Sequence, residues 1–399
     1  MCDRNKKMKY NFDELVDRRG TGCVKWDESP NPDVIPLWVA DMDFKAAPAI
    51  QEAIRKRAEH GVFGYAHVGD DYYEAVISWF QRRHNWTIHR EEILYTTGVV
   101  PAMSVAIKAL TMPGEKVLIL SPDYNCFFSS VRNNGCEVLE TVLRRTGNTF
   151  EVDFEDFEAK CADEKTTVFL LCNPHNPCGR VWTKAELEHM NDICMKYGVK
   201  VVSDEIHCEL VMPGYQFQPF AAVSEACRQN SVILNSPSKS FNIAGLQAAN
   251  IICAKPEWRR RLDRAININE VCDLNPFGPV ALVAAYNESE DWVDALNEYL
   301  WGNYQALCTF AAEHFPKWKI CRLEGTYLPW IDITATGISS QDYCDRLLHE
   351  AKVWVNPGTM YGPLSGEGYI RINIACPRSR LLEALERIAK VEPSSNPPA

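Results

Sequence analysis

Between about residues 50 and 255, short apolar runs alternate with longer amphipathic stretches, and this alternation limits the possible folds more than any other feature. The runs Lys116–Leu120, Thr167–Leu171, Val199–Val202 and Val232–Leu234 have the length of buried strands. The amphipathic stretch Lys184–Tyr197 lies between two of them. Strands joined by helix-length crossovers predict a mostly parallel sheet covered by helices, an α/β fold. Ligands in such sheets collect outside the carboxyl ends of the strands. After Ala254 the pattern turns helical over Trp258–Ile268 and Pro279–Phe315. A mixed section follows, containing Tyr327–Asp332 and Tyr369–Ile374, which reads as a smaller α/β domain. The 399 residues are enough for two such units. The expected division is an arm and part of the small domain over 1–49, a large domain over 50–285, a small domain over 286–392, and an unstructured Pro- and Ser-rich tail over 393–399.

The residues with chemical capability stand where the strands end. Lys239 lies in Asn235-Ser236-Pro237-Ser238-Lys239-Ser240-Phe241-Asn242, just after Val232–Leu234. An amine in a partly dry site can lose its proton and attack carbonyls, and the flanking hydroxyls suit phosphate oxygens. The turn Thr96-Thr97-Gly98-Val99-Val100-Pro101-Ala102 opens a helical pattern over Met103–Leu110. A helix N-terminus offers free N–H groups and the positive end of the dipole to an anion. Tyr124, after the strand Lys116–Leu120, is suited to stack on a flat heterocycle. In Cys172-Asn173-Pro174-His175-Asn176-Pro177-Cys178-Gly179, two Asn-Pro pairs and a glycine force a rigid turn that fixes an amide as a donor. Asp204 ends the strand Val199–Val202, and a desolvated carboxylate there needs a cation, which a protonated pyridine nitrogen would supply. Taken alone, four of the five segments have an ordinary alternative: a surface lysine, a plain helix-opening turn, a tyrosine packed on a loop, an exposed acid. Together, at successive strand ends, they describe one cleft for a phosphorylated aldehyde bound through Lys239.

In this order the segments resemble the pyridoxal-phosphate enzymes of the aspartate aminotransferase fold (fold type I). The likeness is closer to their cystathionine β-lyase branch, the MalY/PatB-type C–S lyases that include cystalysin. It is carried by Pro36–Phe44, Gly64-Tyr65, Thr97–Pro101, Asn173–Trp182, Ser203–His207, Ser238–Gly245, Glu324–Leu328 and Arg371-Ile372-Asn373, and runs from about Phe12 to about Val391. The resemblance implies a large domain with a seven-stranded sheet between helices and a smaller α/β domain. It implies that Lys239 holds pyridoxal 5′-phosphate covalently, that Asp204 pairs with the ring nitrogen, that Tyr124 stacks on the ring and borders the substrate, and that Asn176 donates to the phenolic oxygen. His207 stands where many relatives have a tyrosine reaching that oxygen. The phosphate would meet Gly98, the Val99 and Val100 amides, Ser236, Ser238, and Tyr65 from a second subunit of a homodimer. Arg371 would clamp the α-carboxylate of an amino-acid substrate, for which a guanidinium fork suits better than a lysine.

One departure separates branches. Many aminotransferases of this fold carry an arginine soon after the catalytic lysine, but residues 240 to 250 here contain no basic residue. The C–S lyase branch shares that absence. The resemblance therefore implies β-elimination of thiols from cystathionine or cysteine-type S-conjugates, leaving pyruvate and ammonia. The alternatives are an aminotransferase of the same fold and a regulatory protein that retains the fold and binds a transcription factor.

Composition removes other classes. A net charge of −11 disfavours nucleic-acid binding. The sixteen cysteines include no Cys-x-x-Cys pair, so no metal site is expected, and free thiols fit a cytoplasmic protein. No run has the length of a membrane span, and no apolar stretch follows the charges of the amino terminus. Trp38, Asp41 and Asp43 could form a metal-binding acidic loop; the preferred reading is a segment packed near the cleft.

Overall fold

The structure, a computed structural model, describes residues 10–392. The tail expected over 393–399 lies outside the described residues, as do residues 1–9 of the expected arm. Seven strands form the main sheet: β1 (Ile93–Thr96), β2 (Lys116–Ser121), β3 (Glu137–Val142), β4 (Thr166–Cys172), β5 (Lys200–Asp204), β6 (Ser231–Asn235) and β7 (Ala249–Ile252). Their spatial order is β1-β7-β6-β5-β4-β2-β3. β7 runs antiparallel to β1 and β6, and the remaining pairings are parallel.

The central strands read as unbroken apolar runs because both faces of the sheet are covered. Val117, Ile119, Val168, Leu170, Val202, Val232 and Leu234 share one core with α3 (Val99–Leu110) and α7 (Pro256–Ile268). Their neighbours Leu118, Leu120, Phe169, Leu171, Val201 and Ile233 point into the larger core on the other face. That core also takes α1 (Pro48–Glu59), α2 (Asp70–His84) and α6 (Lys184–Tyr197). The α6 bounds match the sequence expectation, and the local chemistry explains why. Thr183 and Glu186 form a reciprocal cap at its start, and Gly198 ends it at φ +74°. The helix expected over Pro279–Phe315 instead divides at Ser289 into α8 (Gly278–Glu288) and α9 (Glu290–His314). Ser289 leaves helical geometry at φ −129°, and its hydroxyl donates back to the Ala284 carbonyl at 3.1 Å.

A second, antiparallel sheet contains β8 (Lys319–Ile320), β9 (Trp330–Asp332), β10 (Asn356–Pro357) and β11 (Tyr369–Arg371) in the order β8-β9-β11-β10. It packs with α9 and α10 (Arg378–Val391) in the same large core. Residues 35–36 pair with 353–354, after which residues 38–44 run as a strap between the two sheets. Trp38 stacks on Trp354 with ring centres 4.5 Å apart. Asn242, three residues past Lys239, grips the strap from the main sheet: its amide accepts from Met42 N–H at 3.0 Å and donates to the Met42 and Phe44 carbonyls.

The turn between β4 and α6 is fixed from outside. Gly179 adopts φ +71°, and its carbonyl accepts from the Glu324 and Gly325 amides at 2.8 and 3.0 Å. Arg180 pairs with Glu324 at 2.9 Å and with both oxygens of Glu186. A side chain at Gly179 would meet Leu323 Cδ1 at 3.0 Å as well as the unfavourable left-handed backbone. Gly179→Ala should therefore lower stability by about 1–3 kcal/mol. In chemical denaturation the midpoint falls with the slope unchanged.

Candidate active site

Loops at the carboxyl ends of the strands converge on a cavity of about 280 Å³. Gly98, Val99 and Val100 come from the turn after β1 and the start of α3, Tyr124 from the loop after β2, and Asn176 from the turn after β4. Asp204 ends β5, His207 follows it, and Ser238 and Lys239 come from the turn after β6. Val99 and Val100 are the first two residues of α3 itself, so their amides have no partner within the helix. Pro101 follows them and has no N–H to satisfy, so the opening turn loses nothing by its presence.

The polar groups are mutually oriented. Lys239 Nζ donates to the Ala40 carbonyl at 2.6 Å. Burial of this amine, reinforced by the charge of Arg371, pushes its pKa down. Asp204 accepts from the Ile206 amide at 3.1 Å. Burial raises its pKa to about 7 despite that bond and the nearby Lys239. His207 is pushed down to about 3 by burial and by the charges of Lys239 and Arg371, so it is a neutral imidazole, with Nδ1 buried and unpartnered. Arg371 Nη1 donates to Asn176 Oδ1 at 3.1 Å and Nη2 to the Trp38 carbonyl at 2.9 Å. With its oxygen held by Arg371, the Asn176 amide keeps its NH₂ as the group free to donate.

Three expected residues do not line the cavity: Arg371, bonded to Asn176 at its side, Ser236 and Tyr65. Ser236 lies behind its wall, donating to the Ala248 carbonyl at 2.6 Å and accepting from the Ser238 amide at 3.1 Å, with the Ser238 hydroxyl 2.6 Å away. It is fully engaged in shaping the turn that presents Ser238. Tyr65 is 97 % exposed, on the outside of this chain. Sequence reasoning assigned no role to the Ala40 carbonyl, because a backbone oxygen carries no sequence signal. Tyr327, whose hydroxyl donates to that same oxygen at 3.0 Å, was visible only as part of the Glu324–Leu328 motif.

Asp41 and Asp43 belong to a packed ion cluster. Arg18 reaches both at 2.6 Å, and the buried Lys25 lies 3.1 Å from Asp43 and 3.4 Å from Asp41. Side chains of metal-ligand type gather elsewhere, at His84, Cys208 and Glu209 and at Asp123, Cys172 and His175. In the first group Glu209 already accepts from Trp79 at 2.7 Å and pairs with His84 at 2.6 Å and Arg83 at 3.3 Å. Every cysteine among the described residues is a free thiol, and no helix among them is long and apolar enough to cross a membrane.

The donor set fits pyridoxal phosphate. It offers a buried amine for an aldehyde, free N–H groups at a helix start and a nearby serine hydroxyl for a phosphate, an amide donor, and an aromatic ring. It also offers an enclosed carboxyl that lacks the charge-paired cation needed to ionise fully. A carboxyl whose folded-state pKa lies above its unfolded value of about 4 binds a proton on folding. Its stabilising contribution is present below about pH 4 and is lost as the pH rises to about 7. Without cofactor, Asp204→Asn should thus gain on the unaltered protein between pH 5 and pH 8 by about 2–4 kcal/mol, as read from denaturation midpoints at the two values.

Residues 32–388 match the family of class I and II aminotransferases. The chain is 40 % identical over 382 residues to cystathionine β-lyase PatB of Bacillus subtilis (strain 168), covering 95 % of this chain and 98 % of that one. It is 34 % identical over 380 residues to protein MalY of Escherichia coli (strain K12), covering 93 % and 96 %. Among solved structures, cystalysin of Treponema denticola, which contains a pyridoxal 5′-phosphate cofactor, superposes with a TM-score of 0.93 at 34 % identity, covering 96 % of this chain and 98 % of that one. This chain belongs to the class I and II aminotransferase family.

Proposed function

We propose that the protein is a pyridoxal-phosphate-dependent C–S β-lyase that converts L-cystathionine or L-cysteine-type S-conjugates to a thiol, pyruvate and ammonia. The observation that carries this reading is the convergence of Lys239, Asp204, Asn176 and Tyr124 on one cavity, with Arg371 bonded to Asn176 at its side. The likeness to a cystathionine β-lyase and to cystalysin supports the choice of reaction. When bound, the cofactor supplies an electron sink for the pair left at Cα.

The chain's own residues do the rest. Lys239 is the amine that would capture the aldehyde and afterwards take the Cα proton, and burial with the charge of Arg371 favours its neutral form for both tasks. Asp204 would hold a proton on the ring nitrogen, the one place in the cavity where its buried carboxylate could meet a cation. Arg371 would hold the substrate's carboxylate and so fix the orientation of the bonds at Cα. The Asn176 NH₂ would donate to the phenolic oxygen, and the neutral His207 stands within the same wall. Among the cavity-lining residues Lys239 is the single lysine or arginine, and His207 is neutral. The phosphate charge therefore meets the Val99 and Val100 amides, the Ser238 hydroxyl and the positive end of α3. Ser236 acts indirectly by holding Ser238.

Tyr65, exposed on this chain, would complete the phosphate site of a partner subunit in a homodimer. Residues 50–285 would form the cofactor-holding domain and 286–392 the smaller domain that brings Arg371, in a cytoplasmic enzyme.

Lys239→Ala should abolish pyruvate formation and the visible absorbance of bound cofactor; substantial residual pyruvate would remove Lys239 from its role. Arg371→Ala should raise KM for the amino acid by about 10²-fold with a smaller effect on kcat. Cystathionine, cysteine and alanine supplied separately test the reaction class. Pyruvate with thiol from the first two is the expected result, whereas amino transfer to an added keto acid marks an aminotransferase.

A further inference from the structure

The chemistry proposed for Lys239 requires more than a neutral amine. Whenever the amine is not covalently held, its lone pair must face the substrate, and burial alone does not orient it. The Ala40 carbonyl does, by accepting from Lys239 Nζ at 2.6 Å. A neutral amine has two N–H bonds and one lone pair, so tying one N–H to a fixed oxygen confines the lone pair. The same oxygen accepts from the Tyr327 hydroxyl at 3.0 Å.

The oxygen and its phenol partner are both held firmly. The strap is bracketed by Asn373, whose amide donates to the carbonyls on either side of Ala40, Val39 at 2.5 Å and Asp41 at 2.6 Å. Tyr327 is fully buried, and its ring stands edge-on to His207 at 6.0 Å. The backbone leading to it is unusual: Thr326, a β-branched residue, adopts φ +68°. That conformation is locked by the Thr326 amide donating to the Leu210 carbonyl at 2.7 Å and by the Leu328 amide donating to the Thr326 hydroxyl at 3.2 Å. Gly325 sits so close to Val181 and Pro174 that a Cβ would lie 2.9 and 3.0 Å from their side chains. Strained backbone of this kind persists where the surroundings over-determine it, and it clusters at functional sites.

We infer that Tyr327 is a positioning residue for Lys239, acting through the Ala40 carbonyl that both groups share. The reason is a difference in bond strength. A bond from an ammonium to a carbonyl is stronger than one from a neutral amine. An oxygen already accepting from a phenol is a poorer acceptor, and the ammonium form loses more by this than the neutral form. Tyr327 therefore favours the neutral amine while leaving it one directed acceptor. The other groups facing the amine act on it as charges. Arg371 on β11 favours the neutral form, and Asp41 on the strap, Asp204 on β5 and Cys126 on α4 (Asn125–Asn133) oppose it. His207, uncharged, contributes little. Burial raises the pKa of the Tyr327 phenol, so it stays a donor.

This inference rests on Lys239 being the amine that captures the cofactor, and the test separates the two ideas. Full-length protein freed of cofactor is mixed with pyridoxal phosphate, and the rise in visible absorbance of the covalently held cofactor is timed from about pH 6 to about pH 10. In Tyr327→Phe the midpoint of this profile should move up by about half to one pH unit. Capture near neutral pH should slow by about three- to tenfold, with the rate at high pH retained. Tyr327→3-fluorotyrosine, a stronger donor of nearly the same shape, should move the midpoint down, and it decides the matter alone if the phenylalanine variant does not fold. A midpoint that stays in place overturns the positioning role, whatever happens to stability. No capture by the unaltered protein, or equal capture by Lys239→Ala, overturns the assignment of Lys239 instead.

Discussion

An extended strap that leaves the sheets must find partners for its carbonyl groups, and the assembly of this site follows from how residues 38–41 meet that demand. The Trp38 carbonyl accepts from Arg371 and Asn356, that of Val39 from Asn373, that of Ala40 from Lys239 and Tyr327, and that of Asp41 from Asn373. The donors come from the second sheet, from the segments that flank its strands and from the turn after β6. Four consecutive carbonyls thus hold the lysine that follows β6 and the arginine of β11 on one strap. The strap is itself held by the cluster of Arg18, Lys25, Asp41 and Asp43, in which no buried charge lacks a counter-charge.

The electrostatics of the cavity depend on that placement. Arg371 lowers the pKa of Lys239 and of His207, while Lys239 partly offsets the burial that raises Asp204. A carboxyl near pH 7 and a depressed lysine are poor contributors to an empty fold, but they are the states that an aldehyde and a pyridine nitrogen would complete. The same cavity offers N–H groups, a hydroxyl and a helix terminus, and its lining holds no second lysine or arginine.

The strands that carry chemistry were legible because they are buried on both faces and therefore read as uninterrupted apolar runs. Lys116–Leu120, Thr167–Leu171 and Val232–Leu234 all fall inside observed strands. The edge strands β1 and β3 were not located, since edge positions such as Glu137, Glu140 and Tyr95 tolerate polar side chains. The α6 boundaries were readable from Thr183, Glu186 and Gly198, because capping is local chemistry. The break at Ser289 was not, because a serine bonding to the carbonyl five residues back looks like any other serine in a helical pattern. In the site, Lys239, Asp204, Tyr124 and Asn176 announced themselves by residue type at strand ends. The sequence could not tell Ser238 from Ser236, which differ only in which way the turn points each hydroxyl.

What the sequence determined by itself was the layered α/β architecture and the inventory of reactive groups, since periodicity and turn chemistry act over a few residues. What only the tertiary structure decided was which groups act on which: that Arg371 orients Asn176, that the strap's carbonyls bind Lys239 and Arg371, and that Tyr327 shares the oxygen that holds the lysine. Those contacts join residues some 200 to 330 positions apart. They arise from a backbone path whose unsatisfied carbonyls have to be met by whatever side chains the two sheets bring within reach.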